Sequence, residues 1–409
     1  MSRETISVGV DIGSTKVITC VGKFENGSID IIGVGKSVNQ GMRRGAIIDI
    51  EETVSAISAS LDEAERAAGI PLSSAVVGLD GTHVEATDSK GVIAVAHADG
   101  EIINEDVARV IEAARAIPNK PNREVLHVLP RNFVIDGQEG VKDPIGMNGI
   151  RLEVEANVIS TSTNALKNVQ RCIEQSGLAL ADIVFAPLAE EKILLSKRQT
   201  EIGVILIDVG AATTSYAVYE EGDLINCGVV PIGSSHITND IAIGIRTSIE
   251  VAEKLKLKHG FALPEKVSEK EEVDLKSLDK KEEGMASIRY ISEIIEARLK
   301  EILLLIQERL QIIGRDGTLP AGVILTGGGA KLEGIVELTK ETLRLPAQIG
   351  SPIIEIGGLI DKLEDPVYAT SIGLMLWGRD KSRGGFLSDG SPVSDTFNKA
   401  RKFFKQFLP

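Results

Sequence analysis

The chain has 409 residues, 43% of them hydrophobic and 25% charged, enough for roughly two to four domains around a large core. A net charge of −14 excludes bulk attraction to nucleic acid, and three cysteines without ligand spacing (Cys20, Cys172, Cys227) exclude a zinc site and fit a reducing compartment. No apolar run approaches the ~18 residues that span a bilayer, and no stretch reads as a signal peptide.

The first predicted element carries chemistry. In Val8-Gly-Val-Asp11-Ile-Gly13-Ser14-Thr15-Lys16 an apolar run ends in an acid, then a glycine, then hydroxyl residues, before a second apolar run through Val17, Ile18 and Val21. This reads as strand, tight turn, strand. Such a turn offers bare backbone N–H groups and two hydroxyls to a phosphate. The acid suits a Mg²⁺ shell, direct or through water. A Gly-punctuated hairpin follows over 25–33. Helical spacing runs over 47–69 and stops at glycine, and 75–79 reads as a strand.

A stretch of different style comes next. Strands are expected at 85–95, 125–135 and 152–159, and a helix at 104–116 capped by Asn104. The turn-rich segment 136–147 lies between the last two strands. Together they predict a small inserted α+β unit. Helices are then expected at 164–177 and 187–197, with a strand at 182–185.

Leu206-Ile-Asp208-Val-Gly210-Ala211-Ala-Thr213-Thr214 repeats the order of the first motif and again leads into a Gly-punctuated hairpin, over 220–228. Two such hairpins predict a duplicated fold whose halves face each other and grip one nucleotide. Helical spacing continues over 240–257. The charged run 266–284 reads as a solvated loop. A long amphipathic helix is expected at 288–313.

A buried strand at 323–325 then delivers Gly327-Gly328-Gly329-Ala330, followed by a helix from about Glu333. Three consecutive glycines let a flat or charged ligand approach the backbone at a helix start. No P-loop is present: Gly35-Lys36-Ser37 has the right ending, but the earlier glycine falls on Asp30. No Rossmann fingerprint follows either hairpin. The fold is expected to end near Trp377.

The three pieces, in this order, resemble the superfamily of actin, heat-shock chaperones and sugar kinases. The resemblance implies an α/β, two-lobed actin-like ATPase fold of duplicated ribonuclease-H-like domains, with ATP and Mg²⁺ in the cleft. It implies that Ser14, Thr15, Lys16, Gly210, Thr213 and Thr214 meet the outer phosphates, and that Gly13 and Ala211 also belong to the cofactor site. Asp11 and Asp208 would flank the metal through water. Gly327, Gly328, Gly329 and Ala330 would form the adenosine loop, with Glu253 and Lys256 holding ribose and adenine and Gly233 also in the cofactor site. Read alone, Glu253 and Lys256 are a surface i,i+3 pair worth a few tenths of a kcal/mol. Relatives carry Glu or Gln before a proline in the linking helix; here Ala186 precedes Pro187 and cannot polarise water. Tight ATP binding with slow hydrolysis is therefore expected.

Within the superfamily, His127-Val-Leu-Pro130-Arg-Asn-Phe133, Asp143-Pro144-Ile-Gly146-Met147 and Gly41-Met-Arg-Arg-Gly45-Ala-Ile-Ile-Asp49 resemble the bacterial cell-division FtsA family. That resemblance implies a first lobe at 1–83, 161–195 and 363–379, with the inserted subdomain at 84–160. The second lobe would take 196–228 and 307–362, with a further subdomain at 229–306. It also implies filaments of the chain with itself, and binding to the C-terminal tail of FtsZ. Other divisome proteins would bind through 84–160, at the division site on the inner membrane face. A small-molecule kinase or a pilus-assembly ATPase of the same superfamily is the alternative.

The C-terminal stretch supports membrane placement independently. Residues 380–396 are rich in Gly, Ser, Asp and Pro and read as a tether. Beyond it, Phe397, Ala400, Phe403, Phe404, Phe407 and Leu408 fall within an arc of about 140° on a helical wheel. Lys399, Arg401, Lys402, Lys405 and Gln406 take the other side. A basic amphipathic helix on an acidic chain suits anionic lipid, bound reversibly by one copy and stably by several.

Overall fold

The structure, a computed structural model, describes residues 5–97, 99–116, 121–358 and 364–382. The tether beyond Ser382 and the whole amphipathic tail lie outside the described residues.

The described chain divides into two compact units, one of which is the insertion Val84–Leu166 together with the last described residues, from Arg379. The other begins with strands β1 (Thr5–Ile12), β2 (Lys16–Glu25) and β3 (Ser28–Val38). A small hairpin, β4 (Met42–Arg43) and β5 (Ala46–Ile47), leads to helix α1 (Ile50–Ala68) and strand β6 (Ser74–Leu79). Asp49 caps α1 by accepting from Glu52 N, and Gly69 closes it in the left-handed conformation at φ 70°.

The insertion contains β7 (Glu85–Ala94), α2 (Asn104–Arg115), β8 (Arg123–Ile135), β9 (Gln138–Val141) and β10 (Arg151–Ser162). Its sheet order is β7-β10-β8-β9, with α2 packed on one face. Leu152, Val154, Phe133, Val110 and Ala114 form its own core. The expected cap at Asn104 is not what starts α2. Buried Asp106 reaches back to Ile103 N at 3.2 Å, because an acid at that position can satisfy the free amide of the preceding residue.

Helix α3 (Thr163–Gln175), strand β11 (Ala179–Phe185) and helices α4 (Ala186–Leu194) and α5 (Lys197–Ile202) follow. The single helix expected at 187–197 is thus two. Ser196 begins the second with a capping box, its hydroxyl accepting from Gln199 N while Gln199 Oε1 accepts from Ser196 N.

The chain then repeats the first topology. Strands β12 (Val204–Val209), β13 (Thr214–Glu220) and β14 (Asp223–Val230) form a second antiparallel meander. Helices α6 (Ser234–Ile245) and α7 (Ile249–His259) come next, so the continuous helix expected over 240–257 is broken. Arg246 takes a left-handed φ of 60° and Ser248 caps the second helix by accepting from Val251 N. The charged segment is not wholly a loop. It contains strand β15 (Glu272–Asp274), which pairs with β16 (Met285–Ser287) just beyond it, and it buries Val273 and Leu275. Helix α8 (Ile288–Ile312), strand β17 (Gly322–Thr326), helix α9 (Ile335–Leu343), strands β18 (Ala347–Ile349) and β19 (Gly357–Gly358) and helix α10 (Ala369–Ser382) complete it.

The two large sheets have matching orders: β3-β2-β1-β6-β11, with β19 at the edge, and β14-β13-β12-β17-β18. In each, the first three strands are antiparallel and the next two run parallel. The duplication expected from the two acid-and-glycine motifs is therefore a duplication of topology. The first sheet is sandwiched at van der Waals distance. A Cβ on Gly35 would lie 1.8 Å from Ser60 O of α1, and one on Gly9 would lie 2.2 Å from Ser371 O of α10. The second sheet and α8 share one core, from Ile205, Ile207 and Val218 to Ile295, Ile302 and Ile306. Helix α4, which leads from the first sheet to the second, meets α10 at Gly373, where a Cβ would lie 2.1 Å from Ala189 O.

Candidate functional site

A cavity of about 860 Å³ is lined by both lobes, within the size range of small-molecule sites. Both acid-and-glycine turns face it. Asp11, Gly13, Ser14, Thr15 and Lys16 come from the β1–β2 turn, and Asp208, Gly210, Ala211 and Thr213 from the β12–β13 turn. Gly327, Gly328, Gly329, Glu253 and Lys256 also line it. Three expected residues sit one layer back. Thr214 is fully buried and donates to Ile232 O at 2.8 Å. Gly233 precedes α6 and packs on the second turn, a Cβ there lying 2.7 Å from Gly210 O and Ala211 O. Ala330 is fully buried behind the triple glycine. These three support the wall and do not face the cavity, because their surfaces are consumed by backbone packing.

Both turns are built by hydrogen bonds. Gly13 N donates to Lys16 O at 2.9 Å, and Asn39 Nδ2 donates to Gly13 O at 2.9 Å. At the second turn, Ser234 N donates to Gly210 O and Ser235 N to Ala211 O, tying it to the start of α6. Lys16 reaches across the cleft. Its Nζ lies 3.4 Å from where a Cβ on Gly328 would stand. Its pKa is lowered, first by burial and then by Lys36.

The cavity floor is acidic. Burial, together with Asp80, raises the Asp11 carboxyl to about 7 against a smaller pull from Lys16. Asp208 is raised by burial and by Asp80 and Asp11. Asp80, which sequence reasoning missed, is raised by burial and partly restored by Gly81 N, Ser215 and Thr213. Glu190 on α4 is also raised, by burial and then by Asp208, while Thr370 Oγ1 donates to its Oε1 at 2.7 Å. Glu190 Oε2 and Asp208 Oδ1 are buried without a donor from any other residue, and the two carboxyls lie within hydrogen-bonding reach of each other. So many buried carboxyls at one floor call for a cation or protons. Among the described residues no three acids, His or Cys close into a direct metal set. Such a donor set would fit a hydrated divalent cation.

The far end of the cavity differs. Lys256 is 7% exposed and donates to Thr238 Oγ1 at 2.8 Å, to Ser234 O at 3.2 Å, and to Glu253 at 2.7 Å. Its ammonium is thus buried between α6 and α7, unlike a surface ion pair. Exposed Ile249 and Leu257 on α7 line the same end and offer an apolar wall.

Comparison with known proteins accords with this geometry. The family described as Cell division protein FtsA matches residues 205–373, and the SHS2 domain inserted in FTSA matches residues 81–160. Cell division protein FtsA of Pseudomonas aeruginosa is 36% identical over 379 residues, covering 92% of this chain and 90% of the relative. The chain belongs to the FtsA cell-division family. The Bacillus subtilis member is 38% identical over 375 residues, covering 92% of this chain and 84% of the relative. The fold is actin-like. A type IV pilus biogenesis complex, PilM-PilN, superposes with a TM-score of 0.68 at 18% identity, over 91% of this chain and 98% of the other. MreB5 of Spiroplasma citri bound to ADP gives 0.54 at 13% identity, over 93% and 98%. FtsA membership covers both the lobes and the insertion, and it disfavours the kinase and pilus-assembly alternatives.

Proposed function

We propose that this FtsA-family chain binds ATP with Mg²⁺ in the cavity between its lobes and assembles into filaments that tie the division ring to the inner membrane face. The observation that carries the reading is the pair of matched strand-turn-strand hairpins facing one cavity, each with its acid at the strand end. Lys16, Ser14, Thr15, Gly210 and Thr213 would hold the outer phosphates. Asp11 and Asp208 would hold the metal through water, Glu253 and Lys256 the ribose and base, and Gly327, Gly328 and Gly329 the adenosine. Thr214, Gly233 and Ala330 would brace that wall.

A nucleotide gripped by both hairpins fixes the angle between lobes, and with it the surface one subunit offers the next. The FtsZ tail, other divisome proteins at 84–160 and anionic lipid at Phe397, Lys399, Arg401, Lys402, Phe403, Phe404, Lys405, Phe407 and Leu408 are the partners of this reading. Among the described residues no helix is long and apolar enough to cross a membrane.

The test is co-sedimentation with anionic vesicles, with and without Mg-ATP, comparing the full chain with one ending at Ser394. The full chain pellets more strongly with Mg-ATP, because a filament presents many tails. Equal pelleting of the truncated chain refutes the tail assignment, and failure to bind a fluorescent ATP analogue refutes the nucleotide assignment.

A further inference from the structure

Hydrolysis of a bound triphosphate needs a group beside the outer phosphate that orients a water and takes its proton. Ala186, at the start of α4, lines the cavity and has nothing to offer. Sheet register shows what stands next to it. Strands β11 and β6 run parallel with Phe185 level with Leu79. The following residues, Ala186 and Asp80, therefore leave adjacent strand ends side by side. Strand β1 is the other neighbour of β6, with Val10 level with Val77, so the Gly13 turn borders Asp80 on its other flank. This is the carboxyl edge of the sheet, where ligands of open α/β folds sit.

The other acids of the cavity wall are engaged or remote. Asp11 and Asp208 end the two hairpin strands. Glu253 is bonded to Thr238 and Lys256. Glu250 and Glu333 are exposed at the α7 end.

Asp80 itself is held in place. Its Oδ2 accepts from Ser215 Oγ at 3.1 Å and from Thr213 Oγ1 at 3.4 Å, both on the opposite lobe. Its Oδ1 accepts from Gly81 N at 2.8 Å. Gly81 has a φ of 135° that side chains rarely adopt, and a Cβ there would lie 2.6 Å from Gly45 O. The strand end is therefore pinned beneath the β4–β5 hairpin. With one bond at Oδ1, that oxygen keeps a lone pair for water.

We propose that Asp80 is the catalytic base of this cavity, orienting the water that attacks the outermost phosphate of the bound nucleotide. This rests on the nucleotide reading above. In the step, the water oxygen bonds to the γ-phosphorus as the bond from that phosphorus to the β-bridging oxygen breaks. The water proton passes to Asp80 Oδ1, and ADP and inorganic phosphate leave. Burial makes the Asp80 carboxylate a stronger base than a surface one, while the two hydroxyls and the Gly81 amide restrain it.

The experiment measures two quantities on the full chain: affinity for a fluorescent ATP analogue with Mg²⁺, and phosphate release in a single turnover of ATP. Asp80→Asn keeps an acceptor for Ser215 and Thr213. It should bind nucleotide within about threefold of wild type while releasing phosphate roughly 10²-fold more slowly. Asp80→Ser is the second variant should the first fold poorly, with the same split expected. Ala186→Gln placed in the Asp80→Asn chain should recover phosphate release, since the two positions serve one water. The proposal is overturned if Asp80→Asn hydrolyses at the wild-type rate, if the wild type binds ATP without releasing phosphate, or if the double variant stays as slow as the single one. Absence of nucleotide binding by the wild type overturns the site reading itself, and the proposal with it.

Discussion

Replacing Asp11 with Asn tests the electrostatics of the cavity floor. Burial and the Asp80 carboxylate push the Asp11 carboxyl from 3.8 to about 7. Between those values the folded chain keeps a proton that the unfolded chain has released. Stability is therefore complete below the unfolded value and is lost as pH rises through the folded one. At about 1.4 kcal/mol per tenfold change in proton affinity, the loss at neutral pH and above is about 4 kcal/mol. The carboxylate is partly open to the cavity, so hydration makes this an upper bound. Asn cannot ionise and escapes the loss. The assay is urea unfolding at a series of pH values from about 4 to 8, without nucleotide or divalent cation. The wild type should lose up to about 4 kcal/mol more than Asp11→Asn across that range. With Mg-ATP added the ranking should reverse, because a ligand that binds only the folded state stabilises the chain that binds it best. Parallel pH curves for the two chains would refute the reasoning.

Other substitutions probe the rest of the wall. Lys256→Ala removes a buried ammonium with three partners and should cost about 1–3 kcal/mol in urea unfolding while weakening nucleotide affinity. A cost within error of zero would return the pair to a solvated surface bridge. Gly327→Ala places a Cβ 1.9 Å from Asp208 Oδ1 at a φ of 82°, so about 1–3 kcal/mol of strain and loss of nucleotide binding are expected by melting and titration. Gly373→Ala drives a Cβ against Ala189 O where α4 and α10 cross, and a melting temperature equal to wild type would show that the crossing can relax.

What was legible in the sequence had local causes. An acid at a strand end, a glycine and hydroxyls announce their turn within nine residues, and both turns face the cavity. The regular spacing of Ile291, Ile295, Leu299, Ile302 and Ile306 announces α8. Boundaries were less legible where a cap competes with continuing periodicity. Arg246 and Ser248 interrupt an apolar pattern that reads straight through, and Ser196 restarts a helix that α4 has already ended. Val273 and Leu275 sit in a segment whose charge hides the two apolar positions that pack on α8. Lys256 illustrates the same limit. An i,i+3 pair has one spacing whether it lies on the surface or, as here, beneath α6.

Asp80 and Thr370 belong to a different class, since no local pattern marks them. Asp80 reaches the floor through the register of β6 between β1 and β11, set by pairings with segments far away in sequence. Thr370 reaches Glu190 across 180 positions because α10 returns over α4. That contact has a physical consequence. Helix α4 leads from the first sheet to the second, α10 lies on the first sheet, and the two touch backbone to backbone at Gly373, with Glu190 of α4 close enough to Asp208 for its pKa to be raised. A cation near Asp208 lowers the proton affinity of both acids. It thereby changes the bond that Glu190 makes with Thr370, where α4 packs on α10. The charge state of the floor is thus joined to the packing of α4 on α10 by one short chain of contacts, Asp208 to Glu190 to Thr370. A bound metal nucleotide need move nothing further away to act on both.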